Sequence, residues 1–127
     1  MIVLDANLPI GSLDAADPHH AVSVDLLERR YVDDFATSVL TAAGALLHAT
    51  RVERQDAAMS ALHRIEIEVI ALHASDALAL ARVRNTYRLR MPDAVAVHAA
   101  ISTRSELATF DDALIAAAER AGIKIAN

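Results

Sequence analysis

Ile2, Val3 and Leu4 form an unbroken apolar run that stops at Asp5. A strand with one wet face alternates apolar and polar side chains. A run without alternation is buried on both faces, which is the situation of a strand inside a parallel sheet covered by helices. Asn7-Leu8-Pro9 then breaks the extended pattern. In an open α/β sheet, ligands collect outside the carboxyl ends of the strands. Asp5 therefore either faces that working crevice or caps a short helix after the strand.

The rest of the chain continues the alternation of strand and helix. Asp17-Pro18 reads as a helix start, and the spacing predicts a helix from about His19 to Tyr31 that buries Val22, Leu26 and Leu27. His19 and His20 fall in its first turn, point in different directions and read as surface. Phe35-Ala36-Thr37 is a short strand candidate. Ser38 or Thr41 opens a helix carrying Leu40, Leu46 and Leu47, and another spans roughly Glu53 to Arg64. Ile65 to Leu72 alternates as a strand does. Ser75 caps a helix to about Thr86, and Met91-Pro92-Asp93 opens one to about Ser102. Leu107-Ala108-Thr109 is a strand. A helix follows from Asp111 or Asp112 to Arg120, Gly122 stops it, and Ile123-Lys124-Ile125 reads as a last strand. The expected architecture is a three-layer α/β/α sandwich with a mostly parallel central sheet, in one domain over residues 1–127.

Composition narrows the chemistry. Hydrophobic residues make up 54% and aromatics only 3%, so the core is aliphatic. The absence of cysteine excludes disulfide scaffolds and thiolate metal sites. No basic leader or membrane-length apolar run is present, so a cytoplasmic protein without a membrane partner is expected. The net charge of −5 argues against a protein that coats nucleic acid generally. Arginine nevertheless clusters at Arg82, Arg84, Arg88 and Arg90, either as a solvated helix face or as a guide for a phosphate backbone.

Asp5 and Asp111 follow expected strands and Asp93 opens a helix, so all three are able to converge at one end of a parallel sheet. Gathered carboxylates repel one another in a low-dielectric crevice, and a divalent cation relieves that repulsion. Hard oxygen ligands without cysteine or paired histidines favour Mg²⁺ or Mn²⁺ over zinc. Each aspartate taken alone reads as a helix cap; their joint placement points to metal chemistry.

Met1-Ile2-Val3-Leu4-Asp5-Ala6-Asn7, Met91-Pro92-Asp93-Ala94 and Ala108-Thr109-Phe110-Asp111, in this order and spacing, resemble the PIN-domain ribonucleases. Among these, the chain is most similar to the short stand-alone toxins of the VapC type. The resemblance implies a toxin that cleaves RNA with Mg²⁺ or Mn²⁺, with Asp5, Asp93 and Asp111 as catalytic metal ligands. It further implies that Asp112 binds directly or through water, and that Asn7, Ser38 and Thr109 are polar supports. A cognate antitoxin, a second copy of the chain as homodimer partner, and an RNA substrate guided by Arg82, Arg84, Arg88 and Arg90 follow from the same resemblance.

One position departs from the family. Where the helix after the second strand usually carries a glutamate, this chain has Gly44. A mid-helix glycine costs about 1 kcal/mol relative to alanine, so helix propensity does not explain it. Close packing of a neighbouring backbone is one explanation. The others are a weakened site, replacement of the acid by His48 one turn on, or an attenuating change. The alternative function is a catalytically degenerate PIN domain that binds protein or RNA. A receiver-like phosphoacceptor domain is a third class, but Lys124, the only lysine, lies in the expected last strand itself.

Overall fold

The computed structural model describes residues 1–127. Four strands, β1 (Ile2–Leu4), β2 (Phe35–Ser38), β3 (Glu68–Ile70) and β4 (Glu106–Ala108), form one sheet in the order β3-β2-β1-β4, with every neighbouring pair parallel. Seven α-helices connect and cover them: α1 (Asn7–Leu13), α2 (His20–Arg29), α3 (Val39–Arg51), α4 (Gln55–Arg64), α5 (Ala77–Tyr87), α6 (Met91–Thr103) and α7 (Asp112–Arg120). None is long and apolar enough to cross a membrane.

The unbroken run of β1 is buried on both faces, as its composition requires. Val3 packs with Ala96, Val97 and Ala100 of α6, and with Leu114 and Ala118 of α7. Ile2 and Leu4 point the other way, onto Leu8 of α1 and Leu26 of α2. Successive strand residues thus feed two separate apolar clusters, giving the three layers. The central helix α6 is buried continuously from Ala94 to Ala100, where alanines let it approach the sheet closely.

Several local expectations are corrected by packing. Val22 is half-exposed, and Ser23 takes the buried position on α2. The cause is a close approach: a Cβ at Gly11 would lie 2.5 Å from Ser23 Oγ. Leu40 and Leu47 are also half-exposed, and α3 buries the smaller Thr41, Ala42 and Ala45 instead. Asn7-Leu8-Pro9 starts α1, with proline accepted in the first turn, where no intrahelical donor is required. Residues 65–72 yield only the short edge strand β3, after Glu66 turns to a φ of 57°. Ser75 does not cap α5; it lies in a 3₁₀ turn, Ala74–Asp76, where the Asp76 carboxylate accepts from the His73 N–H at 2.8 Å. Ile123–Ile125 makes a single bridge, Leu107 to Ile125, rather than a strand, after Gly122 adopts a φ of +75°.

Candidate active site at the carboxyl edge of the sheet

The chain steps outward from β1 to β2 to β3, then returns past both to place β4 on the other side of β1. The direction of winding reverses between β1 and β4, and such a reversal opens a crevice at the carboxyl ends of the two strands. Asp5 and Thr109 are the first residues beyond those ends.

A short polar chain joins them. The Asp5 N–H continues the ladder to the Ala108 carbonyl at 3.0 Å. The Thr109 hydroxyl donates to Asp5 Oδ2 at 2.9 Å and accepts from the Asp111 N–H at 3.1 Å. Thr109 is fully buried, so its hydroxyl links the two acidic residues without access to water. Asp111 Oδ1 accepts from the Leu114 N–H at 3.0 Å, so Asp111 is the N-cap of α7 as well as a neighbour of Asp5. Asn127 clamps Thr109 from the other side: its Oδ1 accepts from the Thr109 N–H at 3.2 Å and its Nδ2 donates to the Thr109 carbonyl. Sequence reasoning missed Asn127, since nothing in a terminal Ile-Ala-Asn marks it as a clamp.

Asp93 enters from the first turn of α6, just after Pro92. Its Oδ2 accepts from Arg90 Nε at 3.0 Å. Burial pushes the Asp5 carboxyl above its ordinary 3.8; the hydrogen bonds from Thr109 and the Ala6 backbone work against the rise, and the charges of Asp93 and Asp111 add to it. The charges of Asp93 and Asp111 therefore both reach Asp5.

The supporting residues divide. In the parallel register Val3 lies beside Ala36, and continuing it two residues places Ser38 beside Asp5. Ser38 is buried and caps α3, accepting from the Thr41 N–H at 3.1 Å. Asn7 is partly buried at the start of α1, two residues beyond Asp5. Asp112 is exposed on the first turn of α7. Of the four clustered arginines only Arg90 touches a candidate acid. Arg84 donates to the Leu89 carbonyl, and Arg84 and Arg88 line a hollow with Leu89 and Met91.

Gly44 is exposed on α3, and beyond its own stretch of helix no heavy atom lies within 4 Å of where its Cβ would be. Close packing therefore does not account for the glycine. His48, one turn on, lines a groove between α1, α3 and α4 with Ile10, Ala45 and Ala49.

No three His, Cys, Asp or Glu side chains are gathered closely enough to form a closed metal cage. Mg²⁺ does not require one, because it keeps several of its waters and is usually held by one or two carboxylates and substrate phosphates. The oxygen-only donor set around Asp5 fits a hydrated ion of that kind.

The sequence model of the PIN domain family matches residues 2–120. Among solved structures, the chain is similar to the Mycobacterium tuberculosis VapC20 toxin, described as cleaving the sarcin–ricin loop. Identity is 18%, the TM-score is 0.70, and 92% of this chain and 95% of that one are covered. It is also similar to VapBC2 from Rickettsia felis, bound to a DNA fragment from its promoter, with 16% identity, a TM-score of 0.69, and coverage of 98% and 97%. A toxin–antitoxin complex from Klebsiella pneumoniae matches with 20% identity, a TM-score of 0.69 and 87% coverage of each chain. At these identities the likeness shows the fold. No curated protein sequence matches.

Proposed function

This chain belongs to the PIN domain family, and from that membership we propose that it is a VapC-type toxin, a ribonuclease dependent on Mg²⁺ or Mn²⁺. Residues 1–127 act as one PIN-like domain in this reading. The observation that carries it is the junction at the winding reversal, where Thr109 ties Asp5 to Asp111 while the charge of Asp93 also acts on the Asp5 carboxyl. Buried like charges at a ligand-binding edge are costly to the fold and are kept where chemistry uses them.

Asp5, Asp93 and Asp111 would hold the ion, with Asp112 as a further ligand directly or through water. When bound, the ion supplies a water of lowered pKa and stabilises charge on the phosphodiester during in-line attack. Thr109 fixes the rotamer of Asp5 by donating to Oδ2. Ser38 and Asn7 line the approach. Arg82, Arg84, Arg88 and Arg90 guide the RNA backbone across an otherwise acidic surface. RNA cleavage should appear with Mn²⁺ and vanish with a chelator; cleavage that survives chelation would overturn this reading. Replacing all four arginines with glutamine should weaken RNA binding and reduce its logarithmic salt slope by about 0.7 for each phosphate that is no longer neutralised. An unchanged slope makes them surface residues.

The partners proposed are a cognate antitoxin and a second copy of the chain, in the cytoplasm. Half-exposed Val39, Leu40 and Leu47 on α3, and the apolar groove between α1, α3 and α4, offer surface for such interfaces. One observation favours a second reading, a degenerate PIN domain that only binds: Gly44 leaves an open space where the family carries an acid. The same cleavage assay separates the two.

A further inference from the structure

Arg90 lies immediately before α6 and makes one side-chain contact, from Nε to Asp93 Oδ2 at 3.0 Å. The two ends of this pair differ: the Asp93 side chain is 17% exposed and the Arg90 side chain 78%. Arg30 is built differently. It is 24% exposed and held by Asp33 at 2.6 Å and Glu106 at 3.1 Å, a structural clamp across the opposite end of the sheet. Arg90 has only the acid to hold it, and most of its length is in water.

Resting on the metal-site reading above, we infer that Arg90 is the resident counter-ion of this site: without a divalent ion it holds Asp93, and the ion must displace it. Guanidinium does not lose its proton in a protein, so Asp93 is released only when Arg90 moves away. The 78% exposure gives it room to do so. Asp111 and Asp5 also act on Arg90, raising its pKa after the larger effect of the Asp93 hydrogen bond, so the guanidinium sits in the field of the whole acidic group. Gly44 sharpens the competition. With one acid fewer than the family pattern, the attraction for a dication is reduced while the arginine remains.

The test is calorimetric titration of Mn²⁺ into the full chain and its variants at low ionic strength. An exposed pair of this kind is weak, so Arg90→Gln should tighten Mn²⁺ binding by about two- to fivefold. Arg90→Lys, which keeps the charge, should stay near the parent chain. Arg104→Gln removes the same charge from the other end of α6, where Arg104 is exposed, and should leave the affinity unchanged. Unchanged affinity in Arg90→Gln, or equal tightening in Arg104→Gln, overturns the inference. Asp5→Asn separates this failure from that of the metal site itself. If Asp5→Asn binds Mn²⁺ as well as the parent chain, the metal-site reading falls, and the inference with it.

Discussion

Gly44→Glu is expected to raise both Mn²⁺ affinity and Mn²⁺-dependent RNA cleavage by about ten- to a hundredfold, the range that single groups around a metal command. The space is already present, since beyond the helix's own backbone no heavy atom lies within 4 Å of the missing Cβ. Gly44→Ala is the control. It removes the helix penalty of glycine and should stabilise the fold by about 1 kcal/mol without changing metal binding. For a chain of this length that is a rise in Tm of about 3–6 °C. Glutamate gains part of the same helix propensity but, if α3 presents it as the family pattern implies, adds a negative charge near Asp5, Asp93 and Asp111. Without metal, the glutamate variant should therefore melt below the alanine variant, and added Mn²⁺ should close or reverse the gap through binding to the native state. If the glutamate variant binds no more metal and cuts no faster, α3 does not present residue 44 to the acidic group.

Asp5→Asn should abolish Mn²⁺ binding and reduce RNA cleavage by more than about a hundredfold, beyond the loss expected for an outer-shell partner. Its stability should move in the opposite direction from its activity. The folded-state pKa of Asp5 lies above its ordinary 3.8, because burial opposes the charge and Asp93 and Asp111 repel it. A carboxyl group whose pKa rises on folding holds more proton in the native state than in the unfolded one. Its contribution to stability is therefore favoured below 3.8 and lost as pH climbs through the raised value. At neutral pH Asp5 therefore works against the metal-free fold, whereas asparagine keeps an acceptor for Thr109 without an ionisable group. Thermal melts should show Asp5→Asn more stable than the parent chain at pH 7 without metal, with the difference disappearing in acid. A variant less stable at pH 7 would make Asp5 a structural residue.

Much of this architecture was legible because its signals are local. The apolar run ending at Asp5, proline in the first turn of α6 and aspartate ahead of α7 each act within a turn or a strand, and each element formed where those signals stand. The three acid motifs also pointed to the family, because their order along the chain survives folding. Cap and ligand were harder to separate. Asp111 does cap α7, and its hydrogen bond to Thr109 is what supports the proposal that it is a ligand as well.

The sequence by itself determined the layered parallel fold and the acidic character of its carboxyl edge, because buried strands and helix starts are chosen by the residues that form them. Tertiary structure alone decided that Ser23 rather than Val22 turns inward, because Gly11 lets a helix come too close for a larger residue. It also decided that Thr109, 104 positions along the chain, donates to Asp5, that Asn127 clamps the junction, and that nothing fills the space at Gly44. Contacts between distant segments depend on how whole elements pack, and no pattern of neighbouring residues encodes that packing.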